Sequence, residues 1–258
     1  MRKCNFSLSF AHAKMRKKSI LVSIPHASLF VPQKIRSNFL LTEFDLKNVS
    51  DTYTDKIFEV PNAHILIGEI SRLVCNLNRS PDGIEEEHEH RVTTMVSPDG
   101  QKIFQRPLTP VEVLWLIKKY HHPFHRAIKS IMKERRIKFF IDGHSMWSTR
   151  PKSMYGNTES RADVCLGNRE FTTCTGEQTE FIRDFFLDCG YSVKINNPYF
   201  GKYNVGYHCH RDGVPGIQIE FNRKLFMDEK NLDAFPEKIY KLNKEIERLV
   251  DKLAEKFC

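Results

Sequence analysis

Two histidines and several acids, far apart in the chain, have the chemistry to form a hydrolytic centre if folding brings them together. His26 follows Pro25 at the end of the apolar run Ile20 to Ile24, His144 closes Asp142-Gly143-His144 after Lys138 to Ile141, and Glu220 sits within Gly216 to Phe221. Two imidazoles and a carboxylate make a three-ligand site that keeps a position open for water, as a hydrolytic zinc requires. Asp51, in Ser50-Asp51-Thr52-Tyr53-Thr54-Asp55, is the first choice for that carboxylate, with Asp55 close behind. Such ligands also suit manganese, iron or cobalt, so residue type leaves the metal open.

Glu220 lies in a run so apolar that an unpaired ionised carboxylate is expensive there. It either pairs with a neighbour such as Arg223, or takes a proton from an attacking water and passes it to a leaving nitrogen. Asn78-Arg79 follows an apolar run ending at Leu77, and a guanidinium there suits bidentate capture of a carboxylate, hence an acidic substrate; an ordinary ion pair is the alternative. His125, in His121-His122-Pro123-Phe124-His125, backs the ligand shell by hydrogen bonding or is a satisfied core histidine. Glu85 to His90 has the look of a metal cluster, yet runs of like charge usually mark a solvated loop. Ser145 lies outside any G-x-S-x-G elbow, which disfavours a serine hydrolase.

These residues need rigid elements to carry them. Ile20 to Ile24, Ala63 to Ile67, Leu73 to Leu77, Lys138 to Ile141, Tyr191 to Ile195 and Gly216 to Phe221 read as strands. Thr109-Pro110-Val111-Glu112 supplies an N-cap, a proline at the first helical position and an acid at the third. The helix it starts carries Leu114, Ile117, Tyr120, Phe124, Ile128 and Ile131 on one face, and Pro123 should kink or split it. Gln178 to Cys189 and roughly Asp233 to Phe257 read as further amphipathic helices, and Ser80 to Pro107 as a long functional or covering loop. Strands alternating with helices predict a single-domain α/β fold: one mostly parallel or mixed sheet covered by helices on both faces, its ligands beyond the carboxyl ends of the strands.

Composition excludes several function classes. The chain has 258 residues, 40% hydrophobic and 28% charged, as in an ordinary globular protein. Of its +8 net charge, Arg2, Lys3, Lys14, Arg16, Lys17 and Lys18 contribute six positive charges, leaving 34 basic against 32 acidic residues from Ser19 onward. The body thus offers no basic stripe to track phosphates, and no nucleic-acid partner is expected. No apolar stretch reaches the roughly 18 residues of a membrane span. Residues 1–18 read as a disordered basic tail, or as an upstream start before a true one at Met15, and residues 19–258 as the domain. Seven scattered cysteines without a C-x-x-C pair point to a reducing cytoplasm.

The segments Ser23 to Ser28 (SIPHAS), Ser50 to Asp55 (SDTYTD), Cys75 to Gly83 (CNLNRSPDG), Tyr120 to His125 (YHHPFH), Ile141 to Met146 (IDGHSM) and Ile217 to Glu229 (IQIEFNRKLFMDE) occur in the order found in the N-formylglutamate amidohydrolase family. The resemblance spans roughly Ile20 to Glu229, with Ser28 where glycine is common, Phe226 for the usual tyrosine, and a loose match from Asn204 to Pro215. It implies a zinc-carboxypeptidase-like fold and zinc-dependent cleavage of an amide, in the type case N-formyl-L-glutamate. By position, His26, Asp51 and His144 match the metal ligands, Glu220 the acid/base, and Asn78 and Arg79 the pair holding the substrate carboxylate. A zinc peptidase, another N-acyl amino acid hydrolase, or a binding protein that keeps the fold without catalysis are the alternatives.

Overall fold

The computed structural model describes residues 11–14, 19–82, 91–149 and 160–258. Among them seven strands form one sheet: β1 (Ala11–Lys14), β2 (Ile20–Ile24), β3 (His64–Gly68), β4 (Phe139–Met146), β5 (Val164–Gly167), β6 (Val193–Ile195) and β7 (Gly216–Asn222), in the spatial order β1-β3-β2-β4-β7-β5-β6. The central β3, β2, β4 and β7 are parallel, while β1 and the β5–β6 pair run against them, so the sheet is mixed. Helices α1 (Gln33–Arg36), α2 (Glu43–Val49), α3 (Thr54–Phe58), α4 (Pro110–Leu116), α5 (His122–Glu134), α6 (Gly176–Asp188), α7 (Tyr203–Asp212) and α8 (Pro236–Phe257) surround it.

Period-two alternation divides the strands between two cores. Leu21, Leu66 and Phe140 pack with Phe124, Ile128 and Ile131 of α5 and Val205 and Cys209 of α7. Ile20, Val22, Ile65, Ile141, Ile217 and Ile219 pack on the opposite side with Ile57 and Phe58 of α3, Ile182 and Phe186 of α6, and the Ile239, Leu242, Ile246, Leu249 and Leu253 stripe of α8. Both faces are therefore covered, as the element order predicts. No helix among the described residues is long and apolar enough to cross a membrane.

Several expectations change at the level of elements. Within the segment read as a tail, Ala11–Lys14 pairs antiparallel with β3 along the sheet edge. Leu73 to Leu77 is not a strand: the Val74 and Cys75 amides bond back to Ser71 O, so this buried apolar run is a turn. The helix from Pro110 starts on the Thr109–Glu112 capping box and is divided into α4 and α5 just before Pro123, as the proline predicts. The division takes the form of a π turn over Ile117–His121, a local widening that accommodates the missing proline N–H. β4 runs on through Met146, which puts Asp142, Gly143 and His144 inside the strand rather than beyond it. The Glu85 to His90 run lies outside the described residues, but Arg91, Thr94 and Val96 to Pro98 from the same loop line a cavity over the sheet, in the covering position expected of it.

Candidate active site

Strand register explains how the polar residues of the central strands meet. Ser23 of β2 lies opposite Asp142 of β4, Asp142 opposite Gln218 of β7, and His144 opposite Glu220. Side chains two residues apart share a face, so Ser23, Asp142, His144, Gln218 and Glu220 form one polar patch on one side of the sheet. Gly143 points the other way, where an added Cβ would come within 2.7 Å of the Phe58 ring. Only glycine lets α3, and with it the turn carrying Asp51, pack this closely on β4.

His26 and Asp51 reach the patch from the loops after β2 and α2. The Asp51 amide donates to His26 O at 3.1 Å, the Thr54 hydroxyl and amide donate to Asp51 O, and Tyr53 takes a left-handed conformation (φ 72°) that starts α3. That conformation costs a side-chain-bearing residue about 1 kcal/mol, accepted here where the turn must present Asp51. His26, Asp51 and His144 are each buried and offer ligand atoms within 4.8 Å of one another. Asp55 lies one helical turn on, in α3, outside this cluster.

The hydrogen bonds orient these atoms. His26 Nε2 meets Asn76 Oδ1 at 2.8 Å and His144 Nε2 meets Asp142 Oδ2 at 2.8 Å. Both oxygens accept, and on His144 the carboxylate contact is shorter than the 3.1 Å from Nε2 to Asn78 Nδ2, so each ring carries a proton on Nε2 and turns Nδ1 toward Asp51 Oδ2, at 3.4 Å from His26 and 2.9 Å from His144. Burial, then the Arg72 charge, pushes His26 down to about 3, so it is neutral and fit to ligate. Burial opposes charge on His144 as well, but the Asp142, Asp51 and Glu220 carboxylates outweigh it and push the ring up to about 10. Asp51 is held well below the usual carboxylate range, because its bonds to His144 and His26 and the Arg72 charge outweigh its burial.

The site therefore demands positive charge between His144 Nδ1 and Asp51 Oδ2. A proton meets that demand with two ligands and leaves the buried His26 Nδ1 without a hydrogen-bond partner. A divalent cation would meet it with three, so the residues present fit a metal. Asp142 itself accepts from His144, Asn78, Asn204 and, in a short bond, Ser23, which leaves its buried charge well satisfied. Asp142→Asn is expected to weaken metal affinity about 10- to 100-fold by loosening the His144 tautomer. Competition titration against a chelator measures this, and an unchanged affinity would reduce Asp142 to packing.

Glu220 stands beside this cluster with one oxygen engaged: Oε1 accepts from Gln218 Nε2 at 2.7 Å, while the buried Oε2 has no hydrogen-bond partner. Burial raises its pKa to about 7, against the pull of His144. Its expected partner Arg223 is elsewhere, donating to Asn48 O and Ser50 O at 2.5 Å each and to Ser145 Oγ at 3.3 Å, with Nη2 3.7 Å from Asp51 Oδ1. Arg223 thus clamps the α2–α3 turn that presents Asp51, and a Glu220–Arg223 bridge is ruled out. Of the two readings of His125, the satisfied buried histidine is the one seen: it bonds Leu77 O and His208, away from His26 and His144.

A cavity of about 60 Å³, room for a few waters, is lined by His26, Arg72, Asn78, Arg79, His144, Ser145, Tyr199, Lys202, Gln218 and Glu220. Five of these residues, Arg72, Arg79, Ser145, Tyr199 and Lys202, also line an adjoining cavity of about 360 Å³ with Trp147 and Phe200 in its wall. Three cations in the shared wall favour an anionic occupant. Asn78 spends its amide on Asp142 and on the Asn204 N–H, leaving Arg79 as the group of that pair suited to a ligand carboxylate. Sequence reasoning missed Arg72, whose Nη1 lies 3.3 Å from Asp51 Oδ1, and Asn76 and Asn204, and it gave Gln218 no role. Gln218 alone had a signal, a second polar residue two positions before Glu220 in an apolar strand.

The crystal structure of N-formylglutamate amidohydrolase from Ralstonia eutropha JMP134 superposes with a TM-score of 0.81 at 21% identity, covering 95% of this chain and 97% of that one. The gene product Atu2144 from Agrobacterium tumefaciens matches with a TM-score of 0.66 at 17% identity, covering 95% and 92%. No curated protein matches the sequence. The family model for N-formylglutamate amidohydrolase matches residues 18–227, well over half the chain, and with the fold shared across these structures this protein belongs to the N-formylglutamate amidohydrolase family.

Proposed function

We propose that this amidohydrolase cleaves the amide of an N-acyl acidic amino acid of the N-formyl-L-glutamate type, with zinc held by His26, Asp51 and His144. The observation that carries the reading is the meeting of those three ligand atoms beside Glu220, whose Oε2 is buried and unpartnered. A divalent ion bound there supplies polarisation of the amide carbonyl and makes a water acidic near neutral pH. Glu220 Oε2 takes the proton of the water as its oxygen adds to the carbonyl carbon, then delivers it to the nitrogen as the C–N bond breaks; the acid so formed gives its remaining proton to the amine, and the products leave as carboxylate and ammonium. Arg72, in the cavity wall with its Nη1 3.3 Å from Asp51 Oδ1, places positive charge against the oxyanion that forms. Arg79 holds the substrate carboxylate.

The adjoining cavity of about 360 Å³ favours one further reading, in which a larger acyl group or a short acidic peptide extends past Lys202 and Tyr199 toward Trp147. Hydrolysis of a panel of N-acyl amino acids and acidic dipeptides, with a chelator control, separates the two. Chelation is expected to abolish turnover and added zinc to restore it. Arg79→Ala should raise KM for acidic substrates about 100-fold and leave neutral N-acyl amino acids little changed. An equal effect on both classes would remove Arg79 from carboxylate recognition.

A further inference from the structure

Leu77, Asn78 and Arg79 bring the Arg79 side chain to the cavity in a turn with no strand partner, so their carbonyls need donors from elsewhere. Each has one. His125 Nε2 donates to Leu77 O at 3.0 Å, Arg79 Nη1 to Asn78 O at 2.8 Å, and His121 Nε2 to Arg79 O at 2.8 Å. Two of the three donors are imidazoles four residues apart, from the π turn and the first turn of α5.

Both rings are buried, which pushes His121 down to about 4 and holds His125 well below the ordinary histidine range, so each is neutral and has a single N–H. A carbonyl only accepts; the proton is therefore on Nε2 in both. His125 Nδ1 then accepts from His208 Nε2 at 2.9 Å, the two rings stacked within 12°. Tyr203 of α7 packs against His121 and His125, and the neighbouring Asn204 amide donates to Asn78 Oδ1 at 2.8 Å. The π turn and α5 thus hold the Leu77–Arg79 backbone from behind and α7 holds the Asn78 side chain, while neither imidazole lines the cavity beside Glu220. Apolar side chains would fill the same volume; what these histidines add is one directed donor each.

We propose that His121 and His125 are positioning residues for substrate binding, acting through the Arg79 and Leu77 carbonyls to aim the Arg79 guanidinium into the cavity. The proposal rests on the reading of Arg79 as the substrate's carboxylate anchor. With N-formyl-L-glutamate as probe, His121→Leu is expected to raise KM about tenfold while kcat and bound metal stay within about twofold. His121→Gln, which keeps an N–H donor, recovers most of the loss; His125→Leu and His125→Gln behave alike with a smaller amplitude.

The deciding measurement places His121→Leu in an Arg79→Ala background. If His121 works through Arg79, KM rises no further there. A second full increase, or kcat and metal content falling in step with KM, would show a general folding role and overturn the proposal. Should His121→Leu fail to fold, nitrogen NMR of the intact protein takes its place: both rings must show the Nε2–H tautomer, and an Nδ1–H tautomer on either overturns the assignment. Arg79→Ala alone leaving KM unchanged would instead defeat the anchor reading, a result the tautomer measurement does not share.

Discussion

Glu220→Gln is expected to lower kcat about 1000-fold, with KM and metal content near those of the parent, because it deletes the proton carrier and keeps the shape. The same substitution should stabilise the metal-stripped protein at higher pH. Burial raises the Glu220 pKa from 4.5 in the unfolded chain to about 7 in the fold. Between those values the folded state holds a proton that the unfolded state has released, so stability falls as pH rises through this window. The deficit, about 3 kcal/mol, then persists above it. Glutamine does not ionise, so the variant lacks this slope and is the more stable above pH 7. Urea unfolding from pH 4 to 8 tests this beside the kinetics. Retained turnover removes Glu220 from the reaction, and parallel stability curves remove the buried-charge argument.

Asp51→Asn has the second large effect, for a different reason. Asp51 Oδ2 faces both ligand histidines, while Oδ1 faces Arg72 at 3.3 Å and Arg223 at 3.7 Å, all in a buried site. Removing its charge takes away one of the three proposed metal ligands and leaves the buried Arg223 without its strongest counter-charge. Bound metal and activity should fall to background, and stability by roughly 3–5 kcal/mol, the usual cost of stranding one partner of a buried pair. Asp55→Asn is the control, since Asp55 lies outside the ligand cluster; it should keep its metal. Elemental analysis and denaturant unfolding decide between them, and metal retained by Asp51→Asn but lost by Asp55→Asn would reverse the assignment.

Strand patterning made much of the fold legible. The Ile20–Ile24 and Gly216–Asn222 strands and the capped helix at Pro110 follow from side-chain type and spacing, which act locally and survive in the sequence. Leu73 to Leu77 failed because burial, not pairing, accounts for its apolar residues: Leu73, Val74, Cys75 and Leu77 enter the α5-side core from a turn. Pro123 marked the division of the helix, but the π turn that makes it was not legible, because that adjustment is spread across a whole turn.

For the site, residue type together with placement at the ends of apolar runs and the family resemblance nominated His26, His144, Glu220 and the Asp51/Asp55 pair, since few side chains bind metals or move protons near neutral pH. Tertiary structure decided which of them act together. Register set His144 beside Glu220, packing of α3 on Gly143 brought Asp51 rather than Asp55 to the two histidines, and long-range contacts sent Arg223 to the Asp51 turn and His125 to Leu77. Intrinsic chemistry belongs to each residue wherever it stands, but proximity between positions 51 and 144, or 79 and 121, exists only after the sheet has closed and the helices have packed.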